Sequence, residues 1–435
     1  MVTLAIYVCI LIALLVGTWF RPAIALASLI CVKVLDFWGQ MAHPILFQYD
    51  KFTNLFMVAL VGLGILRAHP FAFRPRQILP WVQITTTCLF LYAAISLSWS
   101  PAFGNGVEQW SYSLPYIFLN LFLVPLLFRH TTDLQDGLGA VVYLGAVLAA
   151  VVDLFVDWEE RFIGTFWDTS ETIWDPLAFP EMAGYVTLAA VLLNHDKSWK
   201  WTAIKYIAIA ASIVLVIKSE TRAQFIMMLT ISMVFLPFSR PVSNLKQYVV
   251  WAFLGIGLVS VSLFALNSFT SIEDRWSLST VQSDWDLRVQ AASQLLHYWW
   301  KASSGDPAAL ILGLGNSASF SPTIVGFYSH ILTLEVLAEE GIFGFGILLV
   351  LLWVSVRTIR TAYSLLKHDP IQRGIWSTLV ASFLFAFLLS FKQGSLVGYG
   401  TQVFLFVILL ERQLAILVAE KNGTGGPILT AGNVT

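Results

Sequence analysis

Within the stretch "FYSHILTLEVLAEEGIFGFG" a histidine, His330, stands before three carboxylates, Glu335, Glu339 and Glu340, at the head of an apolar run. An imidazole with a pKa near 6.5 accepts a proton at neutral pH, so His330 is the candidate general base. Four cations lie on segments assigned below to the same side: Arg161 in "DWEERFIGT", Lys218 and Arg222 in "KSETR", and Arg288 in "DLRVQAAS". Guanidinium forks hold phosphate oxygens through paired, charge-assisted hydrogen bonds, so the set is suited to a diphosphate. Lys218 is its weakest member, because Glu220 is two residues away. Glu335 and Glu339 share a helix face at a spacing of four. They can neutralise the arginines, orient His330 or mark the wet end of the helix, and pairing with arginine is the preferred role. Arginines nearby push the pKa of His330 down and the glutamates push it up. Gly341, Gly344 and Gly346 let a neighbouring helix come close.

These residues need elements to position them, and composition says which. Of 435 residues 57% are hydrophobic and 12% charged, with a mean hydropathy of +0.76, far from the roughly one-quarter charged content of soluble domains. Apolar runs near the length of about 20 residues that spans a bilayer fall near 2–20, 22–38, 52–66, 78–98, 113–128, 137–156, 178–194, 201–217, 222–238, 247–267, 331–355, 374–391 and 396–418. The fold class is therefore an all-α polytopic membrane protein with about twelve transmembrane helices. The first run lacks a cationic leader and a small-residue cleavage site, so it is expected to be retained. Basic loops ("RAHPFAFRPRQ", "HDKSWK", "SRPVSNLK", "RTIRTAYSLLKHDPIQR") alternate with acidic ones, which puts the acidic side outward. The net charge of −1 gives no reason to expect nucleic acid.

The whole chain, 1–435, reads as one membrane domain with a short outer insertion at 157–178, a large outer loop at 268–328 and a disordered inner tail at 422–435. In the large loop "SDWDLRVQAASQLLHYWWKASS" is an amphipathic helix, with Leu287, Ala291, Leu295, Tyr298 and Trp299 on its apolar side. Cys9, Cys31 and Cys88 all sit in apolar runs and read as packing residues, neither a disulfide framework nor a zinc set. Asp284 and Asp286 form the only Asp-x-Asp pair beside a helix end, and they read as solvated carboxylates. No metal and no cofactor is expected.

The order "SETRAQ", then "DLRVQAASQLL" and "ILGLGNSASF", then "YSHILTLEVLAEEGIFGFG", with "ERFIGTFWDTSETIWDPLAFPEMAG" upstream, resembles the bacterial O-antigen ligase family. Its members share a Ser/Thr-Arg span start, a Gly-x-Gly turn and a His…Glu-x-Gly helix. The resemblance implies a lipid-donor glycosyltransferase of the bacterial inner membrane, with its active site facing the periplasm. Such an enzyme moves a glycan from undecaprenyl diphosphate to lipid A core oligosaccharide, inverting the anomeric centre without metal. It implies that Arg161, Arg222 and Arg288, with Lys218, hold the diphosphate, that His330 activates the acceptor hydroxyl and that Glu335 and Glu339 support them. Partners are then the lipid-linked donor, the core acceptor and membrane lipids, for a monomeric enzyme. O-antigen polymerases and protein O-glycan ligases share these motifs. A lipid or oligosaccharide transporter and a structural scaffold are the readings from other classes.

Overall fold

The computed structural model describes residues 2–49, 51–68, 80–156, 163–164, 172–173, 177–194, 198–219, 221–240, 246, 249, 257 and 278–421. These form a helical bundle: α1 (Val2–Phe20), α2 (Ala25–Ile30), α3 (Val32–Ala42), α4 (Pro44–Gln48), α5 (Phe52–Ala68), α6 (Trp81–Ser96), α7 (Phe103–Phe118), α8 (Asp133–Phe155), α9 (Ala178–Leu192), α10 (Trp199–Lys218), α11 (Arg222–Ser239), α12 (Leu278–Gly305), α13 (Pro307–Leu312), α14 (Leu332–Glu339), α15 (Gly341–Leu366), α16 (Pro370–Leu389) and α17 (Leu396–Lys421). A two-residue antiparallel pairing, β1 (Ile163–Gly164) with β2 (Thr172–Ile173), departs from the all-α expectation. Local chemistry sets several helix starts. Ser198, Asp306 and Asp369 cap α10, α13 and α16 through their side chains, the last two with proline at the first helical position.

Among the described residues eight helices are long and apolar enough to cross a membrane, or nine if the bent pair α2–α3 counts as one. The protein is thus a helical polytopic membrane protein, with fewer full-length spans among these residues than the twelve expected. The reason is visible in three places. α5, α9 and α11 are apolar but shorter; the run at 22–38 turns by 69° at Cys31; and the run at 247–267 lies outside the described residues except for 249 and 257. The tail at 422–435 also lies outside them, as does most of the insertion at 157–178. The central helices are α9, α16 and α17. α9 is largely apolar apart from Glu181 and nearly every residue is buried, as expected of a helix enclosed by others; its neighbours include α8, α10, α11 and α16.

The run at 331–355 is two helices. Gly341 takes φ +66, which separates the short α14 from the long α15. A Cβ on Gly341 would lie 2.3 Å from the Ile311 carbonyl oxygen, and one on Gly313 (φ +80) would lie 2.2 Å from that of Glu339. The two glycines therefore let the end of α13 and the α14–α15 corner touch backbone to backbone. Gly344 makes room for the Tyr92 ring, while Gly346 faces open space and brings no helix close. Of the cysteines, only Cys31 is a packing residue; Cys9 and Cys88 are exposed.

Candidate functional site

α12 lies over one end of the bundle, but its buried face differs from the expected one. Ala291, Ala292, Leu295 and Trp299 are buried, while Leu287 and Tyr298 are exposed. Leu295 and Trp299 pack on Ala318, Ile324 and Ala338, and Gln294 donates to the Ile324 carbonyl at 2.5 Å. Arg288, at helical spacing from Ala291, Ala292 and Leu295, shares that inward face. This carries its guanidinium close enough to depress the pKa of His330.

His330 does not open a span as expected. It lies in the loop ahead of α14 with φ +63, a left-handed conformation that is rare outside glycine. Its ring is half-buried, with centroids 4.1 Å from Tyr328 and 5.8 Å from Phe327. Its Nδ1 is buried with no hydrogen-bond partner among the described residues. Burial first, and Arg288 second, hold the imidazole below its ordinary value of 6.5, which keeps it neutral and able to take a proton.

The strained segment is tied down on both sides. The Leu332 N–H donates to the Ser390 carbonyl at 3.1 Å. Glu335 accepts from the Ser329 hydroxyl at 3.3 Å and from the Leu396 N–H at 2.9 Å. Glu339 accepts from the N–H groups of Ser317 at 2.7 Å and Ser319 at 2.9 Å. Glu340 accepts from the Asn316 amide at 3.0 Å, and Asn316 in turn takes the Trp110 indole N–H at 2.9 Å. Among the described residues none of these glutamates pairs with an arginine, and the side chains of Arg161 and Arg222 lie outside those residues. They satisfy the "GLGNSAS" turn and the head of α17, so what acts on the charge of His330 is burial and Arg288.

The other cations separate. Lys218 ends α10 and donates to the Asp153 carbonyl at 2.8 Å, a contact at the last turn of α8. Arg222 is the first residue of α11, but its side chain, like Arg161, lies outside the described residues. A cation that sequence reasoning passed over stands near it. Lys392, in the turn "SFKQGS" between α16 and α17, donates at 2.6 Å to the buried Gln224 in the first turn of α11, and Gln224 donates at 3.1 Å to Gln393. Because the same turn takes the Leu332 N–H at Ser390 and gives the Leu396 N–H to Glu335, Lys392 bridges the His330 loop and the helix that starts at Arg222. A lone lysine between two apolar runs was the available signal. Among the described residues no group of three or more His, Cys, Asp or Glu is placed to hold a metal, and Asp286 is exposed on α12. Compared with known proteins, the chain matches no protein-family model and no curated protein.

Proposed function

We propose that this chain is a glycosyltransferase of the O-antigen ligase type. It would move a glycan from undecaprenyl diphosphate to the core oligosaccharide of lipid A at the periplasmic face of a bacterial inner membrane. The observation that carries the reading is a half-buried, pKa-depressed histidine near an arginine at one end of a helical membrane bundle, with Lys392 and the start of α11 joined to the same segment. In this reading the chain crosses the membrane about twelve times, with the short apolar helices and the run at 247–267 completing the set.

A glycosyl diphosphate is already activated, so the chain needs chiefly to neutralise the departing phosphates and place the nucleophile. Arg288 and Arg222, with Arg161 and Lys392, neutralise the phosphates. His330 takes the proton of the acceptor hydroxyl as its oxygen forms the bond to the anomeric carbon. The bond from that carbon to the diphosphate oxygen breaks, its electron pair leaves with the diphosphate, and a single displacement inverts the centre. Glu335 and Glu339 position the histidine loop and the Gly-x-Gly turn.

The deciding experiment incubates the purified protein in nanodiscs with a lipid-diphosphate glycan and either core lipid or a second glycan as acceptor. Product on core lipid supports the ligase, and product on glycan identifies a polymerase. The bent pair α2–α3 and the ion pair between exposed Lys33 and buried Glu181 favour a transporter as the second reading, because broken spans with a charge inside the bundle are transporter features. Glycolipid movement without any transfer would establish it.

Three results are expected at this site. Arg288→Ala lowers transfer about 10²- to 10³-fold, the effect of removing one donor from a preorganised anion hole, and Arg288→Lys recovers little because a point charge cannot reproduce a planar fork; full activity in the lysine variant would leave charge alone as the requirement. Lys392→Met weakens binding of farnesyl diphosphate, read as lost thermal stabilisation, while Lys392→Arg keeps it; equal stabilisation of the Met variant would remove Lys392 from the diphosphate site. Transfer persists in excess EDTA, because cations of the chain stand where other enzymes place a divalent ion. Activity lost to chelation and restored by Mg²⁺ would return the role to a metal.

A further inference from the structure

A cleft of about 220 Å³ opens beside α17, lined on one side by Ile30 and Lys33 at the α2–α3 bend and on the other by Tyr112, Asn120, Thr401 and Gln402. Its mouth lies at Tyr112, whose ring sits 5.4 Å below the ammonium of Lys51, one residue before α5. Asn120, eight residues further along and buried, also lines it. Val397 and Gly398 also line it, directly after Leu396, whose N–H is held by Glu335. The cleft therefore reaches the same end of the bundle as His330.

Charge narrows what it can hold. Lys33 Nζ lies 3.3 Å from Glu181 Oε2, and the glutamate is buried behind it. The pair cancels within the lining, Lys51 stands at the rim over Tyr112, and the ammoniums disfavour a cation. What remains is neutral and polar. Asn120 is 5% exposed; its Nδ2 donates to Thr401 Oγ1 at 3.3 Å, and its Oδ1 has no partner among the described residues. Whichever way that amide is turned, this lining residue keeps one buried polar atom without a partner among the described residues. Thr401, Ser113 and Gln402 add hydroxyl and amide groups. Tyr112, Tyr116 and Phe406 add aromatic faces, and Ile30 and Leu405 an apolar wall.

We propose that this cleft is a second ligand site, holding one neutral, hydroxyl-bearing sugar ring of a membrane-anchored glycoside. Hydroxyls pair with Asn120, Thr401 and Gln402, the ring face lies on the tyrosines, and the anchor leaves along the apolar wall. That the sugar belongs to a substrate rests on the glycosyltransferase reading; the binding itself does not.

The test needs no transfer. In nanodiscs, the Cys9→Ser, Cys88→Ser protein carrying Ser113→Cys is labelled with a maleimide, alone and with decyl β-glucoside or decyl phosphate. The glucoside slows labelling several-fold and the phosphate does not. Asn120→Leu and, should that variant fail to fold, the nearly isosteric Thr401→Val abolish the protection without changing the unprotected rate. Equal slowing by both amphiphiles, slowing by the phosphate alone, or no slowing overturns the proposal. Glucoside protection in a protein that transfers nothing supports the site and sinks the glycosyltransferase reading alone.

Discussion

Replacing His330 by alanine is expected to lower glycan transfer by about 10²- to 10⁴-fold, the usual contribution of a general base, while farnesyl diphosphate still binds. The split follows from geometry: the imidazole faces Arg288, yet it is half-buried against Tyr328 and carries no charge at neutral pH with which to hold phosphate. Its pH dependence has a definite sign. A base must be neutral to act, and burial with Arg288 lowers its pKa from 6.5. The neutral form therefore persists to lower pH, and single-turnover rates fall on acidification with a midpoint below about 6.5. The backbone adds a second readout. At φ +63 a side chain costs about 1–2 kcal/mol that glycine does not, so His330→Gly should be as inactive as His330→Ala but more stable by about that amount in thermal unfolding. A midpoint above 6.5, or loss of diphosphate binding equal to loss of transfer, would make His330 a ligand and not a base.

Glu339→Ala is expected to be the most damaging change outside the reacting groups. Glu339 is buried and accepts the backbone N–H groups of Ser317 and Ser319. Each buried donor left without a partner costs about 1–3 kcal/mol, so about 2–6 kcal/mol falls on a turn whose geometry already needs Gly313, Gly315 and Ser317 at positive φ. The turn should open, and α12 should lose Ala318 and Ala338 as its seat, taking Arg288 away from His330. Hydrogen exchange over 313–320 should rise by orders of magnitude and transfer should fall with it. Glu339→Gln, which keeps one acceptor oxygen, should lie between. Unchanged exchange in the alanine variant would show that the turn stands on its other contacts.

Much of the architecture was legible in the chain because spanning a bilayer imposes one rule on every segment: about 20 apolar residues with the backbone satisfied within the helix. Twelve of the thirteen apolar runs coincide with helices, and the helix carrying Arg288 lies where its amphipathic pattern put it. What the pattern missed has a common physical cause. The break at Cys31 and the division at Gly341 are hard to place from hydropathy, since apolar residues continue on both sides and the bend is set by packing against other segments. Leu287 and Tyr298 were placed on the wrong side of α12 because a helix with two partly apolar faces does not say which one meets the bundle. The charged residues divide in the same way. His330 and Arg288 stand out by residue type and order, and the structure brings Arg288 near enough to lower the histidine's pKa. The glutamates, Lys218, Lys392 and the Lys33–Glu181 pair acquired their roles mostly from neighbours 20 to 168 positions away. A carboxylate spent on a backbone turn and one aimed at an arginine have the same letter in the sequence, and only the tertiary structure decides which hydrogen bonds each one makes.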